Sequence, residues 1–161
     1  VNDEPIRIVA AAIADDEGRT LLVRKRGSDT FIQPGGKREA GEHARATLER
    51  ELAEELGVRL EPAALRFLGS YEEEAVNERD RRVRADAYLV RIDGEPVAGA
   101  EIEEIRWLDP LPPYEVPVAP LSALRILPAL RAALSAPEGP GGVSTTGPAT
   151  VAVAAALSLA K

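Results

Sequence analysis

Three glutamates, Glu51, Glu54 and Glu55, are spaced three and one residues apart in a stretch where Leu48, Leu52 and Leu56 recur every fourth residue. The leucine spacing predicts a helix over Ala44 to Leu56, and Gly57 is the expected stop. At about 100° per residue the three carboxylates fall within an arc of roughly 100° beside the leucine face. Carboxylates that close repel one another, and the helix alone would be more stable without them. Such a cluster persists most readily where a cation neutralises it, and oxygen-only ligands suit a hard ion such as Mg2+, with Mn2+ as a substitute. An isolated E-x-x-E-E in a glutamate-rich chain also fits a solvated helix face. The neighbourhood has to decide between the two.

That neighbourhood is specific. Pro34-Gly35-Gly36 forces a tight, irregular backbone, and the two glycines let the main chain approach the helix and offer their carbonyls. Six residues beyond Gly36 stands Glu42; after seven more come Arg50-Glu51-Leu52-Ala53-Glu54-Glu55-Leu56-Gly57-Val58. The stretch resembles the Nudix box, G-x5-E-x7-R-E-U-x-E-E-x-G-U with U a bulky aliphatic residue. Gly36, Glu42, Arg50, Glu51, Leu52, Glu54, Glu55, Gly57 and Val58 fill every specified position. The resemblance covers Gly36 to Val58, and Pro34-Gly35 before the box and Trp107-Leu108 near a late strand agree with it.

The resemblance implies a Nudix fold of the α/β (α+β) type, a mixed β-sheet sandwiched between α-helices with the box as loop–helix–loop. It also implies Mg2+-dependent hydrolysis of a diphosphate linkage in a nucleoside diphosphate derivative or a nucleoside triphosphate, oxidised nucleotides included. Glu51, Glu54 and Glu55 are then expected to hold the metal, with the Gly36 carbonyl as a further ligand. Arg50 is expected to pair with Glu42 and so orient the ligands; the alternative for that pair is an ordinary surface ion pair worth less than about 1 kcal/mol. The catalytic set is Glu51, Glu54, Glu55 and Arg50, with Glu54 favoured as general base over Glu101, Glu103 or Glu104, and over Glu72, Glu73 or Glu74. Expected substrate contacts are Arg24 and Arg26, beside Lys25 at the end of a strand, and Glu101. The competing reading is a non-catalytic nucleotide-sensing module on the same fold, which would more commonly show an eroded box. Prenyl diphosphate isomerisation on a related fold relies on a cysteine acid, and the chain has no cysteine.

The elements that must position these groups follow from periodicity and turn residues. Ile6 to Ala14 reads as a buried strand, and Asp15-Asp16-Glu17-Gly18 as a turn. Thr20 to Lys25 is the returning strand of a hairpin. Phe31-Ile32-Gln33 is a short extended piece. Leu65 to Glu72, Val83 to Ile92 and Ile102 to Leu108 are further strands; in the second, Val83, Ala85 and Ala87 alternate with Arg82, Arg84 and Asp86. Leu121 to Leu134 is a final helix that kinks at, or begins near, Pro128. His43 is expected at the helix boundary. Phe31 and Tyr71 are expected to pack in the core, with base stacking as the alternative.

The 161 residues suit one domain. It is expected to be a Nudix domain over 1–134, followed by a Pro/Gly-rich linker and a short apolar tail over 135–161. Twenty basic against 27 acidic residues, a net charge of -7, argue against broad nucleic-acid binding. They leave room for a small nucleotide-type substrate, because a bound divalent cation reverses the local potential. Lack of cysteine excludes disulfides, thiolate nucleophiles and cysteine-ligated zinc. With no signal-peptide pattern and no apolar run near the roughly 20 residues of a membrane span, the expectation is a cytoplasmic monomer or homodimer without membrane contact.

Overall fold

Nine residues at the start of the chain, Ile6 to Ala14, are apolar on both sides of the pleat except at Arg7, which suits a strand covered on both faces. The computed structural model, which describes residues 4–135, places them as β1 (Ile6–Ala14) inside a seven-stranded mixed sheet. The other strands are β2 (Thr20–Lys25), β3 (Phe31–Ile32), β4 (Gly35–Gly36), β5 (Arg59–Glu74), β6 (Arg82–Asp93) and β7 (Ile102–Leu108). β1 turns antiparallel into β2, as expected of a hairpin, and runs parallel to β6 from Ile6↔Val83 to Ile13↔Val90. β5 closes one edge antiparallel to β6, β7 pairs with β2, and the two-residue β4 lies against Val9 and Ala10 of β1.

The alternation of β1 divides the core into two layers. Val9, Ala11 and Ile13 join Leu21, Val23 and Val90 under helix α1 (Ala44–Leu56), whose Leu48, Leu52 and Leu56 are fully buried. Ala10, Ala12 and Ala14 join Leu22 and Phe31 under the C-terminal helix. One helix on each face gives the expected sandwich. Phe31 is a core residue, and Tyr71 packs against the same layer while its hydroxyl donates to the Leu68 carbonyl.

Helix α1 begins where His43, in an extended conformation, accepts the Ala46 N–H on its Nδ1, so the single histidine caps the helix. It ends at Gly57, whose φ of 67° only glycine adopts without cost and whose N–H returns to the Ala53 carbonyl.

Two elements differ from the sequence expectation. β5 starts at Arg59, not Leu65, with a register irregularity between Leu60 and Leu65. Pro62 falls inside that irregularity on an edge strand, a position where a missing N–H breaks no ladder bond. The last helix divides: Leu121–Ile126 is π-helical and α2 (Leu127–Ser135) follows. The Leu127 N–H donates to Ser122 five residues back. Pro128 has no N–H to give and its ring would crowd the carbonyl four residues earlier, which the wider turn relieves. Among the described residues no helix is long and apolar enough to cross a membrane. The expected linker and apolar tail from residue 136 onward lie outside the described residues.

Candidate active site

Gly35 and Gly36 sit on β1 because no side chain could. A Cβ on Gly35, which has φ 140°, would stand 2.1 Å from the Val9 carbonyl oxygen; on Gly36 it would stand 2.4 Å from the Glu51 carboxyl carbon. The glycine pair therefore brings bare backbone against α1 at the level of its carboxylates. Glu55 reaches the pair from the helix, accepting the Gly35 N–H on Oε1 at 3.1 Å. Glu51 lies against Gly36 and accepts from Arg50 Nη1 at 2.9 Å. Glu54 is on the open side, with 56% of its side chain exposed and Arg50 Nη1 at 3.9 Å.

Arg50 is the hub. Its Nε and Nη2 both donate to Glu42, at 2.8 Å each, and Nη2 also reaches the Lys37 carbonyl at 2.9 Å. Glu42 further accepts the Glu39 N–H and the Thr47 hydroxyl. One fork thus ties the loop after the glycines to the helix and to Glu51. The hydrogen bond from Arg50, followed by the Glu39 backbone bond, draws the Glu42 carboxyl down to about 2. The same contact with Glu42 raises the Arg50 guanidinium further above its ordinary range.

Glu55 behaves in the opposite way. It is 8% exposed, and burial pushes its carboxyl up to about 7 against the Gly35 hydrogen bond, with the charges of Glu51 and Glu101 adding to the rise and Lys25 opposing it. Burial also raises Glu51; Arg50 opposes that rise, and Glu54 adds to it. The carboxylates feel one another's charge, which Arg50 offsets at Glu51 and the Gly35 N–H at Glu55, with Lys25 acting on both.

The three glutamates do not form a preassembled cage: among the described residues no three acidic or histidine side chains are grouped as metal ligands. Like charges separate when nothing holds them, so each takes the nearest donor: Glu51 the Arg50 fork and Glu55 the Gly35 N–H. The residues nonetheless fit a hard divalent cation. The donors are all oxygen, and two carboxylates face a glycine cradle that tolerates no Cβ; burial raises the proton affinity of both, a cost that a bound cation would offset.

The flanking residues sort by strand alternation. Arg24 donates to the Ser28 carbonyl at 2.9 Å and pairs with Glu104 at 3.1 Å, while Arg26 reaches the Ala100 carbonyl and Glu103. Both tie the end of β2 to the start of β7. Lys25, on the same face as Leu21 and Val23 of the α1 layer, is the cation whose charge reaches Glu51 and Glu55. The period-two pattern Leu21–Val23–Lys25 carries that signal. Glu104 is held below its ordinary range by Arg24 and then Arg106, Glu72 pairs with Arg82, and Glu73 with Arg125. Glu101 is exposed and its charge reaches Glu55. Sequence reasoning missed Thr47, a partner of Glu42, and Gly99, whose N–H donates to the Glu55 carbonyl and which packs too tightly on Glu54 to admit a Cβ. A cavity of about 350 Å³ lies elsewhere, lined among others by Arg19, Arg91 and Trp107, and contains no box residue.

A glycine cradle facing glutamates on a helix that packs against a mixed sheet is the architecture of the Nudix hydrolases. The chain belongs to the NUDIX domain family, whose model matches residues 4–120, and its class is the Nudix-type pyrophosphohydrolases, acting on phosphorus-containing anhydrides. It is 32% identical over 127 residues to an RNA pyrophosphohydrolase of Halorhodospira halophila, covering 66% of this chain and 68% of that one. Among solved structures it resembles a MutT NUDIX hydrolase from Burkholderia pseudomallei, with a TM-score of 0.63 and 27% identity over 79% of this chain and 96% of the other. The E. coli ORF135 protein gives a TM-score of 0.66 and 28% identity, covering 84% and 95%.

Proposed function

We propose that the protein hydrolyses a diphosphate linkage in a nucleoside diphosphate derivative or a nucleoside triphosphate, using Mg2+ held by Glu51, Glu54 and Glu55 with the Gly36 carbonyl. The observation that carries this reading is the seating of Glu51 and Glu55 on the Gly35–Gly36 backbone beside the Arg50–Glu42 clamp. When bound, Mg2+ neutralises nonbridging phosphate oxygens and lowers the pKa of a bound water.

The chain's own residues do the rest. The Arg50 fork fixes the Glu51 carboxylate in orientation and leaves its second oxygen free. Glu54, exposed and only loosely tied to Arg50, accepts the proton of the attacking water; Glu101 is the second candidate. Lys25 meets the negative charge of the phosphates from the β2 side. The name of the Halorhodospira halophila relative, an RNA pyrophosphohydrolase, brings RNA into the same range of substrates.

The test is a panel of nucleoside triphosphates, ADP-ribose, nucleotide sugars and dinucleoside polyphosphates, assayed with Mg2+ and with EDTA. Phosphate or pyrophosphate release that needs the metal and vanishes in Glu54→Gln and Glu55→Gln supports the reading. Tight binding across the panel without turnover refutes it in favour of a sensing module.

A further inference from the structure

The glycine cradle is seated in a fork of the sheet. β1 and β2 pair only near their hairpin turn, at Ile13↔Leu21 and Ala14↔Thr20. Continuing that register would set Val23 opposite Ala11, yet Val23 pairs with Ile32 of β3 instead. The two strands therefore part beyond Leu21, and residues 31–36 enter between them. β3 is antiparallel to β2, and β4 is antiparallel to β1. Because β1 and β2 run in opposite directions, the inserted chain must reverse between β3 and β4. The reversal falls at Gln33 and Pro34.

Ala11 stands at the head of the fork. The pair Ala10↔Gly35 makes Pro34 its neighbour across the gap. Residues in a hydrogen-bonded antiparallel pair exchange two backbone bonds. Pro34 makes one of them, accepting the Ala11 N–H on its carbonyl at 2.8 Å. It cannot make the other, since proline has no N–H. Gln33 Nε2 donates to the Ala11 carbonyl in its place, at 2.8 Å. Ala11 is fully buried and Gln33 is 7% exposed, so bulk water does not substitute for that bond. The other end of the amide, Oε1, is buried with no hydrogen-bond partner among the described residues. Methionine would fill a similar volume without leaving an acceptor unmet, so packing alone does not account for a glutamine here. The bond to Ala11 does.

What this pair anchors is the cradle. β4 is two residues long and pairs with β1, so the Ala11–Pro34 rung beside it decides how firmly it is held. Gly35 follows Pro34 directly and gives its N–H to Glu55; Gly36 then lies against Glu51. We propose that Gln33 is a positioning residue for the metal site: its side-chain amide supplies the N–H that Pro34 lacks and so fixes the glycine cradle on β1 at the level of Glu51 and Glu55. The proposal rests on the hydrolase reading above for the metal, and it adds a residue that lies outside the box.

The test is a cycle of Gln33→Met, Pro34→Ala and the two combined, since alanine at position 34 returns a backbone N–H. Each chain is titrated calorimetrically with Mg2+ and assayed for kcat on the panel above, and the hydrogen-exchange rate of its Gly35 amide is measured in EDTA. Gln33→Met should lower Mg2+ affinity and kcat by about 10–100-fold, as loss of a group that orients a ligand does, and should speed Gly35 exchange. Pro34→Ala keeps the Gln33 donor and should stay close to wild type. The combined variant should recover most of the Mg2+ affinity and Gly35 protection that Gln33→Met loses. A role in packing alone predicts no recovery, because Pro34→Ala restores nothing of the glutamine side chain. A combined variant as impaired as Gln33→Met overturns the proposal; so does Gln33→Met with wild-type Mg2+ affinity and Gly35 exchange. If Gln33→Met does not fold, the comparison is made in the Pro34→Ala background. Adding Gln33→Met there should change Mg2+ affinity little, and a loss of about tenfold overturns the proposal. A wild-type chain that neither binds Mg2+ nor turns over the panel removes the hydrolase reading; the Gly35 exchange rates in EDTA still decide whether Gln33 holds the cradle.

Discussion

Glu55→Gln should make the metal-free protein more stable at pH 8 while removing its response to Mg2+. The Glu55 carboxyl is 8% exposed and burial lifts it from an ordinary 4.5 to about 7. At about 1.4 kcal/mol per tenfold change in proton affinity, ionised Glu55 costs the folded state about 3 kcal/mol. Between pH 4.5 and 7 the unfolded chain releases this proton while the folded chain keeps it. The folded state then binds more protons, so its stability falls as pH rises through that window and levels off above it. Glutamine keeps an oxygen for the Gly35 N–H and has no proton to lose. Thermal unfolding in EDTA from pH 4.5 to 8 should therefore show the variant gaining on wild type as pH rises. At about 2–4 °C per kcal/mol for a chain of this size, the gap reaches on the order of 10 °C at pH 8. Added Mg2+ should raise the wild-type Tm through linkage and leave the variant nearly unchanged. A variant no more stable than wild type at pH 8 in EDTA would show that the buried charge is not the cost described here.

Three further outcomes follow from the same geometry. Arg50→Ala should return the Glu42 carboxyl from about 2 toward 4.5 in a carbon-detected NMR titration. Its stabilising effect is present above pH 4.5 and lost as pH falls through 2, so the variant should unfold at higher pH on acidification, and turnover should drop about 10–100-fold. Gly36→Ala places a methyl 2.4 Å from the Glu51 carboxyl; calorimetric titration should show Mg2+ affinity falling tenfold or more while the far-UV circular dichroism is kept. Leu52→Ala empties a fully buried position under the box helix and should cost about 2–5 kcal/mol in urea unfolding.

Much of the architecture was legible in one dimension because it depends on local repetition. The four-residue spacing of Leu48, Leu52 and Leu56 marks α1 and its buried face, and the continuous apolar run of β1 marks a strand covered twice. Gly57 marks a helix end through its own backbone freedom. The glutamates of α1 were found by their spacing and the Glu42–Arg50 pair through the resemblance to the Nudix box, whose loop and helix are contiguous in sequence.

What only the tertiary structure decided depends on partners distant along the chain. Pro62 reads as a break, yet the strand continues through it because β6 pairs on both sides of the irregularity. Arg24 and Arg26 look like the cations of the site, but long-range partners on β7 and its approach occupy them, leaving Lys25 facing the carboxylates. Arg7 and Arg84 become neighbours solely through the parallel pairing of β1 with β6, across 77 positions of sequence. Periodicity encodes which face a side chain takes; which chain segment lies beside that face is set by the packing of the whole sheet and its two helices.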